Sequence, residues 1–343
     1  MKHMTIAVDI AKNVFEIAVS HCPGRVAETH RLSRSRFLRF FAQRGPADVV
    51  MEACGMAHYW ARQLQQLGHS VVLLPPQYVR PYVRRNKTDR TDAKGLLEAH
   101  RNKDIRPVPI KSVEQQTLAS LHRFRSAWLA TRTARINGVR GILRELGIFI
   151  PLGAKQVVPR VRSLIEDADS QIPMPLRKAL HQACDEIELL ESLMDGADQQ
   201  LRALGKQMPT VEQLLTIPGI GVLTATALVA FVGDVHRFRS CRHFASYLGL
   251  TPRERSSGTT RRLGRISKQG DVYLRTLLTH GARAVLWAAT KHSHPDRLRT
   301  WALELQHRRG HNKTTVALAN KLARIVWAVW KRGTEYQSLP KAA

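Results

Sequence analysis

Four carboxylates occupy positions from which they could converge on a divalent cation. Asp9 closes the short apolar run Thr-Ile-Ala-Val-Asp, and Glu52 lies within the apolar run Val-Val-Met-Glu-Ala-Cys. Asp89 and Asp92 follow at a three-residue spacing that places both on one face of a helix. Mg²⁺ prefers such oxygen ligands, and Mn²⁺ is a candidate substitute. Two such ions could activate the attacking oxygen and stabilise the leaving oxygen in phosphoryl transfer.

Each acid also has a structural explanation when it is taken alone. Asp9 could be a strand-end turn residue, Glu52 could pair with a buried arginine, and Asp89 could cap a helix. The chain is strongly basic, however, so acids at apolar or clustered positions oppose its overall field. Taken together, the four acids favour a metal site.

A second group of candidate residues surrounds a pair of serines. Ser256 and Ser257 precede a glycine, which is ordinary loop sequence. The residues around them are cationic and could hold a phosphodiester and stabilise its developing charge. These cations are Arg253, Arg255, Arg261, Arg262, Arg265 and Lys268. No Ser/His/Asp spacing supplies a base, so the residues alone favour a loop over a nucleophilic serine.

Charge and composition indicate the partner of these residues. The 343 residues include 54 Lys and Arg against 27 Asp and Glu, a net charge of +27, and 43% are hydrophobic, which excludes a wholly disordered chain. Nucleic acid is the leading partner, and a basic membrane-surface protein is the alternative.

The four cysteines form no C-x-x-C pair, and no apolar signal segment precedes Asp9. Both features predict a cytoplasmic protein.

The first hundred residues predict the elements that position the acids. Three short strands, over residues 5–9, 14–20 and 25–32, form an antiparallel meander. Helical and strand patterns then alternate over residues 34–44, 48–54, 57–67 and 70–74. This order predicts an α/β domain in which helices cover the faces of a mixed sheet.

After Pro109 the pattern becomes helical. Apolar residues recur at steps of three and four from Leu118 to Leu146, and again from Ile187 to Leu204. Prolines at 151, 159, 173 and 175 are expected to break the chain between these stripes. The stripes could pair as an antiparallel helical hairpin or form a seam between two subunits.

The uncharged residues 213–233 contain the motif Thr-Ile-Pro-Gly-Ile-Gly. Gly219 and Gly221 would let backbone N–H groups approach a phosphate at the start of the next helix. This is the pattern of a helix-hairpin-helix, and the alternative is an αα-hairpin whose glycines are purely structural. Either hairpin explains the uncharged stretch better than a transmembrane span does.

The joint order of the motifs resembles the DEDD transposases of the insertion-sequence-one-ten family. The motifs cover residues 9–278 and are Asp-Ile-Ala-Lys, Met-Glu-Ala-Cys-Gly, Lys-Thr-Asp-Arg-Thr-Asp-Ala, Thr-Ile-Pro-Gly-Ile-Gly, Tyr-Leu-Gly-Leu-Thr-Pro, Ser-Ser-Gly, Arg-Ile-Ser-Lys-Gln-Gly and Tyr-Leu-Arg. The resemblance implies a RuvC-like (RNase H fold) catalytic domain over residues 1–110 and a helical linker or coiled-coil region over 111–207. A mainly α C-terminal transposase domain, with the helix-hairpin-helix and a catalytic serine, is implied over 208–335.

The resemblance also assigns roles to particular residues. By motif, the family's four acids fall on Asp9, Glu52, Asp89 and Asp92. Its catalytic serine precedes a glycine, which places it on Ser257. The family usually has Gln before that serine, whereas Ser256 stands there in this chain, so an ambiguity of one position stays open.

The sequence therefore predicts a Mg²⁺-dependent DNA recombinase that excises and inserts its own mobile element. One rival is a structure-specific nuclease resembling a Holliday-junction resolvase, which needs the acids but not the serine. The other is a non-enzymatic DNA-binding protein with structural acids. Better-known family members are guided by a structured RNA from the element, so RNA is a candidate partner beside DNA. Exchange between two duplexes predicts a dimer or tetramer, without a membrane partner.

Overall fold

The chain divides into two compact units, Met1–Ser112 and Val113–Ala343. A computed structural model describes residues 4–22, 25–83, 89–291 and 296–338. The predicted three-part division at residues 110 and 207 stays a prediction.

The first unit is built on a five-stranded mixed sheet. Its elements are β1 (Thr5–Ile10), β2 (Val14–Ser20), β3 (Glu28–Ser33), α1 (Arg34–Ala42), β4 (Asp48–Glu52), α2 (Ala57–Gln66), β5 (Ser70–Leu74), α3 (Pro76–Val79) and α4 (Asp89–Arg101). The strand order is β3-β2-β1-β4-β5; β1, β2 and β3 pair antiparallel, and β4 pairs in parallel with β1 and β5. The predicted meander and the α/β class of this region are confirmed. The third strand begins at Glu28, three residues later than predicted.

Strand alternation gives this sheet two buried faces. Ile6 and Val8 of β1 pack with the aromatic residues Phe37 and Trp60 of α1 and α2. Ala7, which points to the opposite face, packs in a separate cluster with residues of α4. Helices on both faces leave the ends of the strands as the places where polar side chains can gather.

The second unit is mainly helical. Its elements are α5 (Val113–Glu145), α6 (Val157–Glu166), α7 (Met174–Lys206), α8 (Pro209–Leu215), α9 (Val222–Val232), α10 (Cys241–Tyr247), β6 (Pro252–Glu254), β7 (Leu263–Ile266), α11 (Val272–Ala289), α12 (Arg297–Arg309) and α13 (His311–Arg332). Two prolines expected to break helices instead lie in first turns. Pro159 is the third residue of α6 and Pro175 the second of α7, where no intrahelical N–H bond is lost.

The two long apolar stripes belong to α5 and α7, which pack side by side. Three arginines of α5 form ion pairs with acids of α7, and these pairs are Arg125–Asp198, Arg132–Glu191 and Arg135–Glu186. Residue numbers rise along α5 as they fall along α7, so the helices are antiparallel. The predicted helical hairpin is confirmed, whereas a seam between subunits stays a prediction.

Residues 213–233 form the end of α8, a turn and the buried helix α9. This segment is a turn between two short helices, and its action as a helix-hairpin-helix stays a prediction. Within the described ranges, no helix is long and apolar enough to cross a membrane.

A buried histidine links α5, α9 and α11 inside the second unit. The two ring nitrogens of His122 each lie 3.0 Å from a hydroxyl oxygen, one of Tyr273 and one of Thr226. Only 1% of His122 is exposed. Burial, together with the positive charge of Arg125, lowers the pKa of His122 to about 4. The imidazole is therefore neutral near pH 7 and serves as an uncharged bridge.

The unfolding free energy is expected to depend on His122 under acidic conditions. The unfolded chain binds a proton near pH 6.5, whereas the folded chain binds it only near pH 4. The neutral His122 therefore contributes fully to the free energy of unfolding above pH 6.5. As the pH falls from 6.5 towards 4, the unfolded chain gains a proton that the folded chain does not bind, and the free energy of unfolding decreases by about 3 kcal/mol in total. Chemical denaturation of His122→Gln should show a correspondingly smaller loss of stability between pH 7 and pH 4. The control His307→Gln, at an exposed position of α12, should behave like the unaltered protein. Equal pH dependence in all three proteins would contradict this role.

Candidate catalytic and nucleic-acid-binding sites

Asp9 and Glu52 lie at matching ends of neighbouring strands. β1 and β4 pair in parallel to within one residue of the two acids. Ala7 and Val50, two residues earlier on each strand, pack in one cluster with residues of α4. Because side chains alternate along a strand, Asp9 and Glu52 lie on the sheet face that α4 covers.

Helix α4 packs on the same face of the sheet and carries the other two acids. Burial lowers the pKa of His100, near the end of α4, and the charge of Asp48, the first residue of β4, opposes that shift. Ala93 and Leu96 of α4 pack with Ala7 and Val50 of the sheet. Asp89 and Asp92 stand in the first turn of α4, and their approach to the other two acids stays a prediction.

Asp92 offers an oxygen that no described protein group satisfies. Its Oδ1 atom is buried and has no hydrogen-bond partner among the residues that the structure describes. A buried carboxylate oxygen without a donor is costly unless a cation compensates it, and Mg²⁺ suits such carboxylates. Among the side chains that the structure describes, no three His, Cys, Asp or Glu groups form a metal site. The Asp89 side chain lies outside that set, so its place among the four acids stays a prediction.

Strand register also identifies an acid that motif analysis misses. Glu16 of β2 is paired directly with Asp9 of β1, so the two carboxylates share one sheet face. Glu16 forms an ion pair of 3.3 Å with Arg31 of β3, and this cation offsets the charge that Glu16 brings towards Asp9. The predicted antiparallel meander carries the signal for this pairing, because the short connection between strands 5–9 and 14–20 sets their register.

Ser257 lies at the tip of the hairpin formed by β6 and β7. Beyond the paired strands, the backbones of Ser257 and Thr260 exchange hydrogen bonds of 3.3 and 3.1 Å. Gly258 inside this turn has a φ of 57°, which favours glycine. Ser257 is exposed, so its hydroxyl is accessible to a large substrate.

Ser256, in contrast, is tied into the hairpin. Its hydroxyl donates to Glu254 at 2.8 Å and accepts from the Arg262 backbone N–H at 3.3 Å. Arg261 Nε donates to the same Glu254 oxygen at 3.1 Å. The hydrogen bond from Ser256, followed by the interactions with Arg261, lowers the pKa of Glu254. A carboxylate with a lowered pKa is a weak base, so Glu254 is poorly suited to removing the proton of the Ser256 hydroxyl. The hydrogen bonds of Ser256 instead suit it to holding the loop that presents Ser257.

Basic side chains line a concavity of about 540 Å³ on the same hairpin. The lining residues are Arg253, Arg255, Arg262, Leu263, Gly264, Arg265, Ile266 and Lys268. Two nitrogens of Arg253 donate to the Ser267 carbonyl at 3.1 and 2.9 Å, so Arg253 also stabilises the hairpin. All the predicted cationic residues line the concavity except Arg261, which pairs with Glu254. That these cations bind nucleic acid stays a prediction.

The Pro-Gly-Ile-Gly turn joins α8 to α9, and its two glycines differ in role. Gly219 has a φ of 82°, and a Cβ there would lie 2.6 Å from the carbonyl oxygen of Gly281 in α11. Gly219 therefore permits close packing, as the structural alternative supposed. Gly221 is exposed and immediately precedes α9, with open space around it. It is the glycine beside which a phosphate could approach the start of this helix.

Comparison with known proteins defines the class of this chain. A family model described as transposase matches residues 6–148, which carry the four acids. A second, described as transposase IS116/IS110/IS902 family, matches residues 211–296, which carry the glycine turn and the serines. The chain belongs to the IS116/IS110/IS902 family of transposases. This confirms the family resemblance that the order of the sequence motifs indicated.

Relatives match along nearly the whole chain. A probable family 20 transposase of Pseudomonas aeruginosa is 41% identical over 97% of this chain and 98% of its own length. The transposase for insertion sequence element IS1111A of Coxiella burnetii is 37% identical over 97% and 91% of the two chains. The transposase for insertion sequence element IS1328 of Yersinia enterocolitica is 36% identical over 96% and 98%. Transposases cut and recombine DNA, so the family makes this chain an enzyme.

Proposed function

We propose that this protein excises and inserts its own insertion sequence by Mg²⁺-dependent cleavage and strand transfer of DNA. The observation that carries the proposal is the Oδ1 of Asp92, which is buried and has no hydrogen-bond partner among the described residues. It belongs to a helix that packs against the strands of Asp9 and Glu52. The proposal treats the first unit as a RuvC-like domain with the RNase H fold. The β3-β2-β1-β4-β5 order of its mixed sheet supports that assignment.

The four acids are proposed as the metal ligands of the active site. Asp9, Glu52, Asp89 and Asp92 would hold Mg²⁺, or Mn²⁺ in its place. The bound ion would supply positive charge beside the scissile phosphate. The alternating faces of β1 and β4 and the packing of α4 on one of those faces support this grouping.

Ser257 is proposed as the nucleophile. Its Oγ loses a proton to solvent and attacks the scissile phosphorus, so that a serine–phosphate bond forms as the bond to a deoxyribose oxygen breaks. The departing oxygen takes a proton from solvent and leaves as a free hydroxyl. The linkage conserves the phosphodiester energy until a DNA hydroxyl attacks the same phosphorus and releases the serine. The exposed position of Ser257 supports this role, and the arginines of the concavity would stabilise the developing charge.

Further contacts to nucleic acid are proposed for the second unit. The α8–turn–α9 segment would act as a helix-hairpin-helix that binds backbone phosphate at Gly221, with Gly219 shaping the turn. A structured guide RNA is proposed as a second partner. A dimer or tetramer is proposed because strand exchange joins two DNA duplexes. The cytoplasm is proposed as the place where the protein acts.

The decisive experiment combines three readouts on duplexes carrying the ends of the element, with Mg²⁺ as the sole divalent cation. Reactions are run with and without RNA transcribed from the sequence flanking the gene. Strand transfer with a denaturant-resistant protein–DNA adduct is the expected result. Cutting without transfer or adduct would instead support the resolvase-like nuclease. Binding alone would support a non-enzymatic DNA-binding protein.

DNA binding is expected to be strongly salt-dependent, because the excess of cations favours phosphate contacts. If ~6–10 phosphates are neutralised, affinity should fall ~10³–10⁵-fold between 50 and 200 mM salt. Titrations of a labelled duplex at several salt concentrations measure this slope. A nearly flat dependence would contradict phosphate-dominated binding.

A further inference from the structure

Lys268 adopts a backbone conformation that lysine disfavours. Its φ is 55°, and among the residues that the structure describes no other non-glycine residue has a positive φ. Here the Cβ atom crowds the backbone, and such residues persist only where their surroundings enforce them. Glycine or asparagine adopts this region more readily, so the backbone itself does not require lysine.

The conformation is enforced where two backbone segments cross. The Lys268 N–H donates to the Gly249 carbonyl at 3.1 Å. A Cβ on Gly249 would lie 2.0 Å from the carbonyl oxygen of Gln269, and a Cβ on Gly270 would lie 2.0 Å from that of Tyr247. The two glycines therefore permit an approach that larger residues would prevent, and Lys268 lies within the crossing.

Arg275 of α11 fastens the same crossing. Its Nη1 donates to the carbonyl oxygens of Leu248 at 3.1 Å, Gln269 at 3.3 Å and Asp271 at 3.4 Å. These bonds connect both segments to α11, whose inner face packs in the core of the second unit. The base of the Lys268 side chain is therefore fixed before any ligand binds.

The side chain of Lys268 enters a cationic environment. It is exposed and lines the concavity of about 540 Å³ together with four arginines, and the lining includes no acidic residue. Glu254, the acid on the adjoining strand, pairs with Arg261. Both the backbone strain and the repulsion between like charges are costs that a bound anion would offset.

We propose that Lys268 binds a backbone phosphate of DNA at the base of the hairpin, distinct from the phosphate attacked at its tip. This inference rests on the proposed function, which makes DNA the ligand. A lysine whose backbone is already fixed loses less conformational freedom when it binds than one on a mobile loop. The contact would therefore set the position of the DNA strand relative to Ser257.

The test uses a pair of variants in the full chain. Lys268→Asn tolerates the left-handed backbone but removes the charge, whereas Lys268→Arg keeps both the backbone and the charge. For a short duplex of arbitrary sequence, Lys268→Asn should weaken binding ~5–10-fold near 0.1 M salt. It should also flatten the slope of log affinity against log salt by about 0.9. Lys268→Arg should keep the original slope.

Thermal unfolding separates a binding role from a structural one. Lys268→Asn should raise Tm by ~1–4 °C, because it relieves strain, whereas loss of a structural contact would lower Tm. Lys178→Asn, at an exposed position of α7, removes the same charge elsewhere and should leave the slope unchanged.

Each other outcome has one meaning. An unchanged slope or a lower Tm in Lys268→Asn would overturn the inference. Equal flattening by Lys178→Asn would also overturn it, because the slope would then follow net charge alone. A flat salt dependence of the unaltered protein would contradict the proposed function itself, which distinguishes the two failures.

Discussion

Asparagine in place of Asp9 or Asp92 is expected to lower DNA cleavage with Mg²⁺ by at least ~10²–10³-fold, the scale seen when one group that stabilises transition-state charge is removed. Each substitution removes a negative charge from the proposed ligand set while preserving the size of the side chain. Asp92 should show the clearest separation of activity from stability, because its buried Oδ1 makes no hydrogen bond to any described residue that the substitution could break. Cleavage rates, unfolding midpoints and DNA affinities of the purified variants measure the three effects.

The matched control is Asp104→Asn, which makes the same chemical change at an exposed position of the first unit. It should retain the original cleavage rate. If both Asp9→Asn and Asp92→Asn retained near-normal cleavage with Mg²⁺ as the only divalent cation, the metal assignment would be wrong. Loss of DNA binding in parallel with cleavage would indicate unfolding or a binding role instead.

The elements of the first unit are predictable because each carries its own local pattern. The strand at 5–10 is a short apolar run, and the helix at 57–66 has helical periodicity. Local pattern is weaker at β3, where half-buried and exposed positions alternate among mostly polar residues. The prediction therefore began that strand at Arg25 rather than at Glu28.

The second unit shows where tertiary context changes the reading of a residue. Pro159 and Pro175 indicate breaks when they are read alone, but both fit in the first turn of a helix. Phe124 belongs to the apolar stripe of α5, yet 58% of it is exposed, and it stacks on Trp128 instead of entering the core. Helical spacing identifies a face, but packing decides which members of that face are buried.

The candidate sites divide in the same way. The four acids can be found from residue type and motif order, whereas the pairing of Glu16 with Asp9 needs the strand register. The close approach of Gly219 to Gly281 joins residues of α11 and a distant turn. Sequence spacing carries no information about such a contact. From the sequence alone, Gly219 could therefore be either a phosphate-binding glycine or a purely structural one, and the packing role is the second of these alternatives.

Ser257→Ala is expected to bind DNA but to form neither a covalent protein–DNA adduct nor a recombinant product. The substitution removes the only atom of this side chain that can bond to phosphorus, so the adduct should fall below detection rather than decrease in part. The side chain is exposed at a hairpin tip, and the unfolding midpoint should therefore hardly change. Denaturing gel electrophoresis of a reaction with labelled DNA detects the adduct directly.

Ser256→Ala is the matched control, because it removes a neighbouring hydroxyl that holds the loop through Glu254. Its expected effect is a slower reaction that still yields the adduct, and Glu254→Gln should act similarly by weakening the same contact. An adduct that survives in Ser257→Ala but disappears in Ser256→Ala would make Ser256 the nucleophile, with Glu254 as its hydrogen-bond partner. If neither serine substitution changes strand transfer, the serine mechanism is wrong and the acids act without a covalent intermediate.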